Sequence, residues 1–161
     1  MTARIKTLIA ATFTATLLAP TALAAAWTPA DGQAADAPRV IFAETDTGAV
    51  LLACDADGKL KTTVSSSKED FAKRMKSVVK YKRGANVTLT VGEKANASET
   101  WSLMPAIDVI FTASHNQAAK LFNAAIRQEA VTVDVDGKPF TTITPPSADA
   151  TFKAFAKTCK G

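Results

Sequence analysis

Cysteine, histidine and long apolar runs are all scarce in this chain, and each scarcity excludes a class of protein. The 161 residues include two cysteines and one histidine, His115. Any metal site or Ser-His catalysis would therefore have to be built around this one histidine. Beyond the first two dozen residues no apolar stretch is long enough to cross a bilayer, so we expect no transmembrane segment in the mature chain.

The first 24 residues have the parts of a secretory signal peptide. Arg4 and Lys6 precede an apolar stretch that is too short to span a membrane. Ala22-Leu23-Ala24 then fits the A-x-A pattern, which predicts cleavage after Ala24, with cleavage after Ala26 as the alternative. Because these features together indicate a cleaved signal peptide, we expect a soluble protein that is periplasmic or secreted. A retained membrane helix is the competing interpretation.

The mature chain is expected to carry little net charge. The sequence has 19 lysines and arginines against 15 acids, and removal of Arg4 and Lys6 leaves 17 against 15. This balance, together with export, argues against a nucleic-acid partner. Residues 25–38 are rich in alanine, proline and aspartate and lack periodicity, which predicts an extended lead-in. Residues 39–161 have the length of a single domain.

Cys54 and Cys159 form the only cysteine pair, and in an exported chain such a pair predicts a disulfide. Alternation places Cys54 on one face of a strand with Leu52, and helical spacing places Cys159 on one face of a helix with Phe152 and Phe155. The bond would pin the last helix to the strand that ends at Cys54. The competing interpretation is a redox pair or a catalytic thiol, although reactive pairs are usually close neighbours in sequence.

The apolar patterns predict an α+β domain, with an antiparallel or mixed sheet, about three helices packed on it, and one disulfide that closes it. Strands are predicted over RVIFAE, AVLLAC and KLKTTVSS as a meander, then over NVTLTVG, PAIDVIFTA and a hairpin in VTVDVDGKPFTTIT. Helices are predicted from Ser66 to a stop at Gly84, after Ser114, and after Ser147, which we expect to cap the last helix.

Two similar turns, D-A-D-G at 55–58 and D-V-D-G at 134–137, have a calcium and a structural interpretation. Two carboxylates followed by glycine begin an EF-hand loop, but the further ligands and the distal glutamate are missing. Each motif also lies where a hairpin needs an Asp-Gly turn. We therefore expect turns and predict no metal site.

Two single residues are candidates for a functional role. His115, in the first turn of a predicted helix, is interpreted as a surface residue, with a catalytic or metal-binding role as the alternative. Asp108 lies inside an apolar run, where a buried acid would mark a site, whereas a solvent-facing or hydrogen-bonded position is the simpler interpretation. The sequence predicts no catalytic residue and no cofactor.

The feature most typical of a binding surface is the basic end of the first predicted helix. Its residues are Lys73, Arg74, Lys76, Lys80, Tyr81, Lys82 and Arg83. Such a face suits an anionic envelope surface or an acidic protein. The competing interpretation is a solvated helix face whose bases offset the helix dipole.

The strand L-L-A-C (Leu51–Cys54), Trp101, a later hairpin and the final helix from Phe155 to Cys159 resemble small periplasmic domains of proteobacteria. These belong to the accessory family associated with type VI secretion and, more distantly, to the invasion-associated locus B family. The resemblance implies a noncatalytic envelope protein that works by contact. We therefore expect an exported module that binds an envelope protein or an anionic envelope surface. The alternative is a small secreted hydrolase whose acidic site is assembled by the fold.

Overall fold

The computed structural model describes residues 25–77 and 81–159, so the predicted signal peptide and Lys80 lie outside the described residues. The strands are β1 (Thr28–Pro29), β2 (Val40–Thr45), β3 (Gly48–Cys54), β4 (Leu60–Ser65), β5 (Arg83–Val91), β6 (Lys94–Ala95), β7 (Glu99–Met104), β8 (Val109–Thr112), β9 (Val131–Val135) and β10 (Lys138–Ile143). The helices are α1 (Phe71–Met75), α2 (His115–Arg127) and α3 (Ala150–Thr158), and Pro105–Ile107 forms a short 3₁₀ helix.

All strand pairs are antiparallel, in the order β1-β2-β3-β4-β8-β7-β5-β9-β10, with β6 beside β5. The predicted outline of an antiparallel sheet, three helices and a disulfide is confirmed. The α+β class holds only in part, because strands dominate. The predicted meander of the first three long strands and the Asp136-Gly137 hairpin are confirmed.

The sheet curls until strands from distant parts of its order meet. The Thr141 hydroxyl of β10 donates to the carbonyl oxygen of Thr47, in the turn before β3, at 2.8 Å, and the Thr47 hydroxyl donates to the carbonyl oxygen of Thr142. Gly48 is in close contact on both sides, because a Cβ there would collide with the backbone oxygen of Ser65 in β4 and would lie 3.2 Å from the Thr141 hydroxyl. The curl leaves one concave face to be filled.

The main core lies between that face and the helices α2 and α3. Leu121 of α2 and Phe152 and Phe155 of α3 are buried in the same cluster as the inward side chains of β3, such as Leu52. Phe122 stacks on Phe152 with ring centroids 4.7 Å apart. Because successive side chains of a strand point to opposite faces, the neighbours Ala49 and Leu51 face the other side, where α1 packs. The helices therefore cover both faces of the sheet.

The first helix is much shorter than predicted. Phe71–Met75 is the whole of α1, whereas Arg83 and Gly84 belong to β5, so the prediction of a helix that continues to Gly84 is wrong. The physical reason is tertiary, because β5 pairs with both β7 and β9, and a central strand position outweighs helix propensity. The candidate cap at Ser66 is also wrong, since the residue before the helix is Asp70 in a left-handed conformation with φ 51°.

Two further boundaries differ from the sequence patterns. The run PAIDVIFTA divides into the 3₁₀ helix and β8, with Asp108 between them at φ 49°. The cap of α3 is Asp149 rather than Ser147, because the Asp149 carboxylate accepts a hydrogen bond from the backbone N–H of Phe152 at 2.9 Å. Asp149 thus acts through its carboxylate, as N-cap aspartates commonly do, whereas Asp108 adopts a left-handed conformation that aspartate tolerates better than most residues.

Trp27, in the lead-in, is buried in the core although no periodic pattern marks it. Its indole N–H donates to the carbonyl oxygen of Pro146 at 3.1 Å, and its backbone N–H donates to Asp149 at 3.1 Å. Its ring lies 5.3 Å from that of Phe152. The short strand β1 that follows pairs with β2. The lead-in is therefore tied to the α3 end of the domain.

The disulfide joins Cys54, at the end of β3, to Cys159, directly after α3, with the two Cα atoms 5.8 Å apart. The helix itself lies against β2, the neighbour of β3 in the sheet. The bond spans 105 residues of sequence. In the chain-entropy description, closing a loop of this length lowers the entropy of the unfolded chain.

Replacing both cysteines by serine is expected to lower the free energy of unfolding by up to about 4–5 kcal/mol, since the unfolded chain regains that entropy. Urea unfolding of Cys54→Ser/Cys159→Ser beside the oxidised protein measures the difference. The reduced wild-type protein is the matched control and should unfold at the same urea concentration as the variant. Two thiols detected in unfolded, unreduced protein would contradict the bond.

Candidate binding site

The candidate site is built around α1, on the sheet face opposite the main core. Phe71 is buried between this short helix and the outward side chains of β3 and β8, together with Ala49 and Val109. The Phe71 ring lies 6.1 Å from that of Phe42. A helix of only five residues is not stable by itself, so this small apolar cluster and the contacts around it must hold α1 in place.

Arg74 is the principal polar contact that fixes α1. Its guanidinium donates to the carbonyl oxygen of Ile107 at 2.6 Å and to the Ser65 hydroxyl at 2.9 Å, and it also donates to the carbonyl oxygen of Ser67. These three acceptors belong to the 3₁₀ helix, the end of β4 and the loop before α1. Arg74 is therefore a partly buried clamp, and its guanidinium already has partners within the chain.

A small apolar pocket opens between α1 and the sheet. Its volume is about 160 Å³, and its apolar lining consists of Ala30, Phe42, Leu51, Phe71, Ala72 and Met75. Asp31 and Lys76 stand at its rim and form an ion pair. The hydrogen bond and charge of Lys76 lower the pKa of the Asp31 carboxyl below its usual range. The pocket thus combines an apolar floor with a charged, solvent-exposed rim.

The remaining residues of the predicted basic surface are divided between α1 and the start of β5. Lys73 is exposed on α1, and Tyr81 is 61% exposed before β5. The Lys82 ammonium lies 6.0 Å from the centroid of the Phe111 ring, a cation–π geometry. Arg83 forms an ion pair with Asp136 at 2.8 Å. The structure therefore does not present these residues as one helical face.

Acidic residues also gather near α1, in an open polar cavity. Glu69, Asp70 and Asp108 line it, together with Lys73 and Arg74. All three carboxylates are exposed to solvent. The exposure of Asp108 fits the solvent-facing interpretation of this residue. Its backbone oxygen accepts a hydrogen bond from the Ser66 N–H at 3.3 Å.

His115 is exposed at the first position of α2, and its Nδ1 accepts a hydrogen bond from the backbone N–H of Leu60 at 3.0 Å. The bond ties α2 to the start of β4. Only an imidazole that is unprotonated at Nδ1 can accept it. The geometry thus gives the single histidine a structural contact between helix and sheet.

The two Asp-Gly motifs form turns. Asp55 accepts from the backbone N–H groups of Lys59 at 3.0 Å and Asp57 at 3.1 Å, and the first of these bonds is the main reason that the pKa of Asp55 is lowered. Asp136 accepts from the backbone N–H of Asn86 at 2.9 Å. Among residues 25–77 and 81–159, no group of three or more histidine, cysteine or acidic side chains is placed to hold a metal ion.

Comparison of the chain with models of protein families, with curated proteins and with solved structures finds no match. In the part of the chain that the structure describes, no helix has both the length and the apolar character needed to cross a membrane.

Arg74→Ala is expected to lower the free energy of unfolding by about 2–3 kcal/mol, because it leaves three backbone or hydroxyl acceptors without their charged donor. Urea unfolding measures this loss. Lys73→Ala is the matched control, since it removes an exposed base from the same helix and should change stability by no more than about 0.5 kcal/mol. Equal effects of the two substitutions would contradict the role of Arg74 as a clamp.

Asp136 generates a pH-dependent prediction. Its carboxyl has a lowered pKa in the folded protein, chiefly because it accepts a hydrogen bond from the Asn86 N–H and secondly because it pairs with the Arg83 guanidinium. Asp136 therefore stabilises the folded protein fully when the pH is above the pKa that this carboxyl has in the unfolded chain. That contribution is lost as the pH falls through the lower pKa of the folded protein. Asp136→Asn should therefore reduce the fall in Tm between about pH 5 and pH 2. The effect is small because the carboxylate is exposed. Asp36→Asn, at an exposed lead-in position, should leave the pH profile of the wild type unchanged.

Proposed function

We propose that this protein is an exported, noncatalytic binding module of the cell envelope. Its partner would be a protein segment that inserts one apolar side chain into the pocket beside α1 and presents an acidic group to the lysines around it. The observation that carries this proposal is the apolar pocket itself, with Lys73 on α1 and Lys76, directly after α1, at the pocket rim. The resemblance to small periplasmic domains agrees with a role that depends on contact.

The size of the pocket favours an anchor side chain over a whole small molecule. Sites that enclose a drug-sized ligand typically measure about 300–1,000 Å³, whereas this pocket measures about 160 Å³. Binding energy in protein interfaces is often concentrated in one or a few buried anchors. Met75 in the lining adds adaptability, because the unbranched thioether side chain adjusts to irregular shapes.

The charge around the pocket favours an acidic partner. Lys73 is exposed on α1, Lys76 is exposed directly after it, and Tyr81 and Lys82 are exposed just before β5. Asp31 is the one acid in the pocket lining, and it already pairs with Lys76. An incoming carboxylate would compete with Asp31 for Lys76, so Asp31 tunes the affinity of the rim.

The hydrolase alternative requires two acids in a deep pocket. Its nearest counterpart in the described residues is the open polar cavity with Glu69, Asp70 and Asp108, whose carboxylates are exposed. Buried surroundings or a close charged partner normally prepare an acid for general acid–base catalysis. We therefore favour binding over hydrolysis.

Affinity capture from cell envelopes tests the proposal, with the oxidised mature protein as bait and washes at low and then high salt. Capture of one protein at stoichiometric level through the high-salt wash is expected. Ala72→Phe fills the pocket and should lower the retained amount of that protein at least tenfold. Ala150→Phe, which adds the same side chain at an exposed position of α3, is the matched control and should retain it fully.

Two charge variants separate the rim from the pocket. Lys73→Ser/Lys76→Ser should weaken retention and make it more sensitive to salt, whereas Asp31→Asn should strengthen it by releasing Lys76. Arg74 is left intact because its loss would disturb α1. An empty capture, retention that Ala72→Phe does not reduce, or binding to anionic lipid vesicles in place of a protein would overturn the proposal.

A further inference from the structure

A second group of basic side chains surrounds a cleft between α2 and the β5–β6 turn, and none of its residues lines the pocket beside α1. The cleft measures about 270 Å³. Its polar lining consists of Lys94, Asn96, Lys120, Asn123, Arg127 and Glu129. The cleft is therefore lined by three basic side chains and one acidic side chain.

The helix side of the cleft follows from spacing along α2. Lys120, Asn123 and Arg127 stand at positions i, i+3 and i+7, which share one face of a helix. The Lys120 ammonium donates to the side-chain oxygen of Gln117 at 3.0 Å, and Gln117 is 1% exposed. This buried partner holds the amine at the helix surface, while an ammonium has two further N–H donors for a ligand.

The sheet side is held by Asn96, just after β6. Its backbone N–H and its side-chain amide both donate to the carbonyl oxygen of Leu89, each at 2.9 Å. The amide also donates to the carbonyl oxygen of Lys94 at 3.4 Å. These bonds fix the tight turn that carries Lys94, so the lysine projects from an ordered part of the backbone.

Glu129, the acid in the cleft, neutralises little of the positive charge of the three basic side chains. Arg127 and Glu129 are 3.9 Å apart at their nearest atoms, at the outer limit of an ion pair, and the Arg127 side chain is 65% exposed. A guanidinium in this position keeps parallel N–H donors for another oxyanion. Phosphate groups carry more charge than one carboxylate, and they are commonly bound by arginine as a fork and by lysine as a point charge.

We propose that this cleft binds the phosphate group of a small phosphorylated molecule or of a phospholipid headgroup. Arg127 would supply paired donors, Lys94 and Lys120 the compensating charge, and Asn123 a neutral amide donor. The size of the cleft suits a headgroup or a single phosphorylated sugar rather than a larger enclosed ligand. This inference does not depend on the proposed function, because it concerns different residues and a different ligand.

Titration of ¹⁵N-labelled mature protein with pyrophosphate tests the inference, at a constant ionic strength set with chloride. Saturable amide shifts are expected at positions 94, 96, 120, 123 and 127. Lys94→Ser/Lys120→Ser/Arg127→Ser should reduce the affinity at least tenfold. A control variant that removes three exposed lysines elsewhere, Lys138→Ser/Lys153→Ser/Lys157→Ser, should bind as the wild type does.

Glu129→Gln provides a change of opposite sign. It should raise the affinity for pyrophosphate two- to fivefold by removing the acid beside Arg127.

Vesicles that contain phosphatidylglycerol identify the source of the phosphate. Vesicle binding that depends on Lys94, Lys120 and Arg127 would identify a phospholipid headgroup as the ligand, whereas binding of pyrophosphate but not of vesicles would identify a soluble ligand. Shifts that are linear and scattered, or affinities equal in the two triple variants, would overturn the site. Failure of the envelope capture has no bearing on this result.

Discussion

The contact between the two ends of the described chain is the constraint on which the rest of the structure depends. Trp27 near one end bonds to Pro146 and Asp149 and packs on Phe152, and the disulfide ties the far end of α3 to β3. Together these contacts hold α3 over the concave face of the sheet. Without α3 the aromatic side chains at that face would be exposed to water, at a cost that grows with their apolar area.

The curl of the sheet matches the helices that fill its concave face. The hydrogen bonds between Thr47 and β10 mark how far the sheet bends. β10 has one side without a ladder partner in the described sheet, but Pro139 and an irregular register between Pro139 and Thr141 blunt that edge. The bend and the blunted edge thus both limit pairing with a further strand.

Sequence patterns predicted most of this fold because alternation and turn chemistry are local. The meander from β2 to β4, the helix α2, the primed turn at Asp136-Gly137 and the disulfide could all be recognised without tertiary information. Two features could not. Trp27 has no apolar neighbours at a regular spacing, and the length of α1 is decided by β5, which is drawn into the sheet between β7 and β9.

The candidate site was predictable only as a region. A run of bases between positions 73 and 83 marks positive charge, but it does not reveal which bases have internal partners. Arg74 donates to oxygens of Ser65, Ser67 and the distant Ile107. Arg83 pairs with Asp136, which is 53 residues away in sequence. The pocket floor was equally hidden, because Phe42 and Leu51 belong to strands whose outward faces the alternation alone would assign to solvent.

Although the net charge of the chain is small, the structure has two separate basic surfaces of different character. Beside α1 the cations border an apolar floor, so a bound side chain would gain from burial that salt does not screen. In the cleft on α2 the lining is polar, so attraction there depends on charge and weakens as the Debye length shortens. The two surfaces would therefore respond differently to ionic strength, and the response of each ligand to salt indicates which surface it occupies.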